Sequence, residues 1–222
     1  MSKLRSLSIR SVTSIAVPCL GIFLLVVPAA AQGKSGNYVF LLASGFLCDP
    51  NDLSTCLATA RSSQGDSYEM TGAGTFDVQK KSVDAVGTFR HKSPNGVLLE
   101  TGVWIASELV SFDPYGIDPG ALPRQGPAFD PEAFGLRRNP MSSGPVPTGG
   151  LAVFRVRLLP VWGPSGTAVL QVNCALGNVP RERSTEGIRL TLEGNGTDFS
   201  EEAGGRVMFL ARQPEPGAPG RI

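Results

Sequence analysis

The sequence predicts an all-β fold, a single antiparallel eight-stranded barrel with a two-sheet β-sandwich as the alternative, on three observations. Short runs alternate apolar and polar residues with a period of two, the signature of a strand with one covered face. Clusters of glycine, proline, asparagine and serine punctuate those runs. The 222 residues include 27 glycines and 18 prolines, and few stretches sustain a helical period. A barrel disposes of the unpaired edges that so many strands would otherwise expose.

Residues 38–47, Tyr-Val-Phe-Leu-Leu-Ala-Ser-Gly-Phe-Leu, form a nearly continuous apolar run of strand length, expected to be covered on both faces. Residues 52–60 suit one or two helical turns. The block that organises the chain comes next. Tyr68, Met70, Gly72, Gly74 and Phe76 share one face of a strand, Val83, Ala85, Gly87, Phe89 and His91 one face of a second. Leu98, Glu100, Gly102, Trp104 and Ala106 share one face of a third. Ser93-Pro94-Asn95-Gly96 is a strong hairpin signal, because Asn and Gly tolerate positive φ. With the aromatic faces superposed, Gly72 falls beside Gly87 and Gly87 beside Gly102. A strand glycine costs stability, so such a row implies a bend, or room for an aromatic ring or a ligand. The same register puts Tyr68 beside His91, with Leu98 beyond it and Glu100 diagonally adjacent. Tyr68, His91 and Glu100 are therefore the candidate polar groups of a site, and Phe76, Phe89 and Trp104 its candidate apolar lining.

In residues 111–150 the alternation collapses: eight prolines and seven glycines predict a long irregular loop. Its Phe112, Tyr115, Phe129 and Phe134 are too apolar for a solvated linker and are expected to pack over one end of the sheet. Strands return at 151–158, 167–176, 188–192 and 204–212, and 213–222 reads as a proline-rich, frayed tail.

Lys3, Arg5 and Arg10 precede an apolar run over 15–27 and the small-residue exit Ala29-Ala30-Ala31, which predicts a signal peptide over residues 1–31. The single β domain then spans 32–212, secreted or periplasmic, with no stable membrane insertion after cleavage. Cleavage removes three of the 20 basic residues and none of the 19 acidic ones, leaving 17 against 19. That balance excludes nucleic acid as a partner, since phosphate binding needs a basic surface. In an exported chain Cys48 and Cys56 suit a short disulfide loop. Cys174, in an apolar alternation, then reads as a buried thiol, pairing with Cys48 or Cys56 being the alternative. His91 is the sole histidine, which removes multi-histidine metal sites; no metal or cofactor is expected. Asp49, Asn51 and Asp52 lack the spacing of a calcium loop. Asn195-Gly196-Thr197 matches a glycosylation acceptor, relevant only in a host that glycosylates.

Gly74-Thr75-Phe76, Gly87-Thr88-Phe89-Arg90-His91 and Gly102-Val103-Trp104, followed by Ser111-Phe112-Asp113-Pro114-Tyr115-Gly116, resemble a group of exported bacterial all-β proteins of unknown function. The Gly-x-Phe strands are also loosely similar to allene oxide cyclase and dirigent-type barrels; that likeness implies architecture and carries over no catalytic residue. The expectation is a secreted binding module for a small apolar molecule or another exported protein. The alternatives are a cyclase- or isomerase-type enzyme using a barrel cavity, and an envelope or matrix structural protein.

Overall fold

Strands β3 (Ser67–Asp77) and β4 (Ser82–Lys92) pair along their whole lengths, Ser67 opposite Lys92 through to Asp77 opposite Ser82. This is the hairpin that the alternation and the intervening turn predict. In the computed structural model residues 36–117 and 145–212 are described, and all of them belong to one compact unit over residues 35–222. The expected signal peptide, the tail and the centre of the expected loop, with Phe129 and Phe134, lie outside the described residues.

The described residues are all-β and antiparallel, with three short 3-10 turns and no α-helix. Among the described residues there are eleven strands where eight were expected. The others are β1 (Asn37–Leu42), β2 (Ala58–Arg61), β5 (Leu98–Ile117), β6 (Val146–Pro160), β7 (Gly166–Cys174), β8 (Gly187–Leu192), β9 (Asp198–Phe199), β10 (Glu201–Gly204) and β11 (Val207–Ala211). The expected loop over 111–150 is corrected at both ends, because β5 continues to Ile117 and β6 begins at Val146. Register breaks at 106/108, 109/111 and 114/116 of the β5–β6 ladder shift the side-chain alternation, which hides the strand from a period-two reading.

Two long strands serve two neighbours on one edge. β3 pairs with β4 on one side and with β2, then β1, on the other. β6 pairs with β5 on one side and with β11, then β7, on the other. Because β1 also pairs with β11 and β4 with β5, the ladder β1-β3-β4-β5-β6-β11 returns to its start. β10 extends from β2, and β8 and β9 extend from β7. Arg189 on β8 and Glu202 on β10 face each other at 3.2 Å.

The inner faces meet in one cluster in which Phe40, Met70, Phe89, Trp104, Phe154 and Phe209 are fully buried. Phe40 stacks on Phe154 with ring centroids 5.2 Å apart and lies 6.5 Å from Trp104. Phe76, Phe89 and Trp104 thus turn to a common interior, as their shared spacing predicts. Each such burial removes a large apolar side chain from water, about 1.5–3 kcal/mol apiece.

Gly72 lies opposite Gly87 as expected, but Gly87 faces Trp104 and Gly102 faces Phe89. The β4–β5 register is two residues from the expected one. The indole is the reason: a Cβ on Gly72 would stand 2.4 Å from Trp104 Cζ2, and one on Gly87 2.5 Å from Trp104 Nε1. The glycines make the floor on which the ring lies, and the indole N–H donates to the Thr71 carbonyl at 3.1 Å.

β1 ends five residues short of its expected limit, where Ala43 and Gly45 take positive φ. The chain there enters the loop closed by the Cys48–Cys56 disulfide. Asp49 accepts from the Asn51 backbone N–H at 2.9 Å and Asp52 from the Ser54 hydroxyl at 2.6 Å, so both acids organise the turn locally. Cys174 is free and buried.

Candidate functional site

Three neighbouring strands bring the polar candidates together at one end of the sheet. Tyr68 on β3 is opposite His91 on β4, and His91 is directly opposite Glu100 on β5. The expected diagonal placement of Glu100 is corrected by the same two-residue register difference that seats Trp104. A further register shift between His91 and Lys92 ends the ladder with Lys92 opposite Leu98.

The Tyr68 and His91 rings stack with centroids 4.5 Å apart and planes within 10°. Phe199 of β9 stands edge-on to both, at 4.8 Å from the phenol ring and 5.8 Å from the imidazole. The Tyr68 hydroxyl donates to Glu100 Oε2 at 3.4 Å, a long hydrogen bond. Burial, and next the negative charge of Glu100, hold the Tyr68 phenol far above its ordinary range. It is a fixed proton donor. Burial likewise holds the His91 imidazole below its ordinary range, against the opposing pull of Asp66 and Glu100. The ring is therefore neutral at pH 7, and its buried Nε2 has no hydrogen-bond partner among the described residues.

Tyr68 and Glu100 form part of the wall of an open groove of about 470 Å³. Leu158 and Pro160 of β6 and Leu192 of β8 supply its apolar surface, Arg157 of β6 adds a guanidinium, and Pro164, Ser165, Asn195 and Thr167 at the start of β7 complete the wall. Gly166, which opens β7, and Gly194 have open space where a Cβ would stand. A second, smaller depression of about 390 Å³ lies along Thr88–Arg90, Thr101–Val103, Leu159 and Val161.

Of the six candidates, only Tyr68 and Glu100 line the larger groove. His91 lies behind Tyr68, while Phe76, Phe89 and Trp104 are buried in the packed interior. The contributions of Leu158, Pro160, Thr167, Leu192, Asn195 and Phe199 escaped the sequence reading. Their strands come together at this site only through long-range pairing, and the sole local hint was the glycine-marked turns at 163–166 and 194–196. Among the described residues, no group of three His, Cys, Asp or Glu side chains is placed to hold a metal ion. In comparisons with known proteins, no protein-family model, no curated protein and no solved structure matches the chain.

Proposed function

We propose that the chain is an exported, non-enzymatic β-barrel that binds a small, largely apolar molecule in the groove at its mouth. The barrel reading, preferred to a sandwich, rests on the returning ladder β1-β3-β4-β5-β6-β11. Export rests on the leader-like residues 1–31 and draws support from the disulfide, which persists in oxidising compartments. The likeness to dirigent-type barrels agrees with this architecture and says nothing of the ligand.

One observation carries the binding reading. The groove, at about 470 Å³, falls within the roughly 300–1,000 Å³ of small-molecule sites, and sets Leu158, Pro160 and Leu192 beside the polar groups of Tyr68, Glu100 and Arg157. The packed interior leaves the mouth, rather than the barrel axis, as the place for a ligand. Tyr68 offers a hydroxyl fixed by its stack on His91, and Glu100 offers an acceptor. A ligand with one hydroxyl or amide and an apolar body satisfies both.

The test is native mass spectrometry of protein purified from its host, followed by binding measurements with whatever co-purifies. Thr167→Trp, on the exposed rim, should block the groove and abolish retention with folding intact, and Glu100→Gln should weaken it. Retention unchanged in Thr167→Trp would remove the ligand from this groove. A chain that retains nothing would favour the structural-protein alternative.

The closeness of the Tyr68 hydroxyl to the Glu100 carboxylate supports a second reading, an isomerase- or cyclase-type enzyme in which this pair moves a proton. His91 would then keep the phenol in place. Loss of turnover in Glu100→Gln with ligand binding retained selects that reading.

A further inference from the structure

The segment between β8 and β11 is lightly held. β9 is tied to β8 through Leu190–Phe199 and Thr191–Asp198 alone, and β10 to β2 through Glu201–Arg61, Glu202–Ala60 and Gly204–Thr59, with a bulge between Glu202 and Gly204. The Arg61–Glu201 pair at 3.3 Å lies in solvent, where an ion pair contributes little. Both ends of the segment are free to turn: Gly194, Gly196 and Gly204 have no atom within 4 Å of a would-be Cβ, and Gly196 and Gly204 take φ of +67° and +138°. Gly205 is the fixed point beyond them, since a Cβ there would stand 2.3 Å from Ala58 Cα.

One buried ring sits between those ends. Asp198 and Ser200 are exposed, whereas Phe199 is 1% exposed and stands edge-on to the Tyr68 and His91 rings. Tyr68 also lines the groove, as do Leu192, Gly194 and Asn195 at the foot of the segment. Lifting Phe199 therefore extends the groove to the Tyr68–His91 stack. The closed arrangement also carries an unmet cost, because His91 Nε2 is buried with no hydrogen-bond partner among the described residues.

We propose that residues 195–204 form a hinged flap over a cryptic aromatic subsite: when β9 lifts, Phe199 leaves the Tyr68–His91 stack and the aryl end of a ligand takes its place. The chemistry of the vacated place selects the ligand. A phenyl-sized ring recovers the edge-on contact that Phe199 gives up, which an aliphatic chain does not. An attached amide or hydroxyl both donates and accepts, so it satisfies Nε2 in either neutral tautomer. The flap deepens the groove reading and rests on it only for the way in.

Benzamide is the probe, since it joins one phenyl ring to one amide. In the full chain the ladder amides of β9 and β10 should exchange hydrogen at least about a hundredfold faster than those of β3 and β4, because the flap opens without the rest of the sheet. With benzamide bound they should exchange at least about threefold faster again, as the ligand holds the flap open. Phe199→Ala, in which no ring has to be displaced, should bind benzamide at least about tenfold more tightly than the unsubstituted chain; Phe199→Leu takes its place if alanine loses the fold. His91 is the sole histidine, so its Nε2 resonance is unambiguous and should shift on binding. Flap amides as protected as those of β3 overturn the proposal. So does benzamide that binds the Phe199 variant but leaves flap exchange in the unsubstituted chain unchanged, which reduces the subsite to an engineered hole. An unmoved Nε2 resonance overturns the pairing with His91. The groove reading fails separately: a benzamide response that survives Thr167→Trp sinks it and leaves the flap standing.

Discussion

Replacing Gly87 with alanine adds one methyl group at the most crowded point of the sheet. The new Cβ would stand 1.9 Å from the Thr71 carbonyl oxygen, 2.5 Å from Trp104 Nε1 and 2.7 Å from Gly72 Cα. Two of the three obstacles are backbone of the paired strand β3, so rotating a side chain brings no relief. β3 and β4 must separate locally, or the indole must lift. Overpacking a tight core costs about 1–3 kcal/mol. Lifting the indole also breaks the Trp104–Thr71 hydrogen bond of 3.1 Å, about 1–3 kcal/mol for the buried groups left unpaired. The stiffer unfolded chain returns about 0.4–1 kcal/mol. The net expectation is a loss of about 2–5 kcal/mol, or a melting temperature lower by roughly 10 °C at about 2–4 °C per kcal/mol in a chain of this size. Gly194→Ala is the control, since no atom lies within 4 Å of its would-be Cβ; it should be neutral or slightly stabilising. Urea unfolding followed by tryptophan emission compares the two. Equal midpoints and slopes for Gly87→Ala and Gly194→Ala would refute the account of why glycine stands beneath Trp104.

Cys48→Ala with Cys56→Ala opens a loop whose ends are 8 positions apart, and loop-closure entropy predicts a loss of about 2.5 kcal/mol in the same unfolding assay. Burial pushes the Cys174 thiol up to about 12, so in a Cys19→Ser background Ellman's reagent should label nothing until the chain is unfolded. Because the folded value lies above the unfolded one, near 8.5, the Cys174 contribution to stability is complete below pH 8.5 and is lost as pH rises toward 12. His91 has the opposite sign: its folded value is depressed, so the neutral ring's contribution is present above about pH 6.5 and is lost as pH falls. His91→Phe should remove that part of the acid-side decline in chemical-denaturation curves, and an unchanged pH profile would show that the ring titrates freely.

What was legible in the sequence was what period two encodes. The faces of β3, β4 and the first half of β5 follow from alternation alone, and with them the common interior of Phe76, Phe89 and Trp104. The disulfide loop and the buried Cys174 followed from spacing and compartment. Register was less legible, since shifting β4 against β5 by two residues keeps every side chain on its face. Only the bulk of one indole, which needs glycine opposite and diagonal to it, decides between the alternatives. Bulges concealed the far half of β5. Gly149 and Gly150, read as loop punctuation, are places where β6 is crowded: Cβ atoms there would stand 1.8 Å from the Leu176 carbonyl oxygen and 2.8 Å from Phe112 Cε2. The groove was least legible, because its walls come from turns that meet only after distant strands have paired.

The pairing of β1 with β11 sets the order in which this protein can finish folding. Tyr38 lies opposite Ala211, 173 positions later (211 minus 38), and β11 is also the link from β1 to β6. No amino-terminal fragment can seal the sheet. Until residues 207–211 are in place, β1 and the start of β6 keep unsatisfied backbone edges, and a chain cut before them presents sticky strand templates to its neighbours. Completion therefore waits on one late, long-range closure made by the five residues of β11, the slow class of step for β topologies.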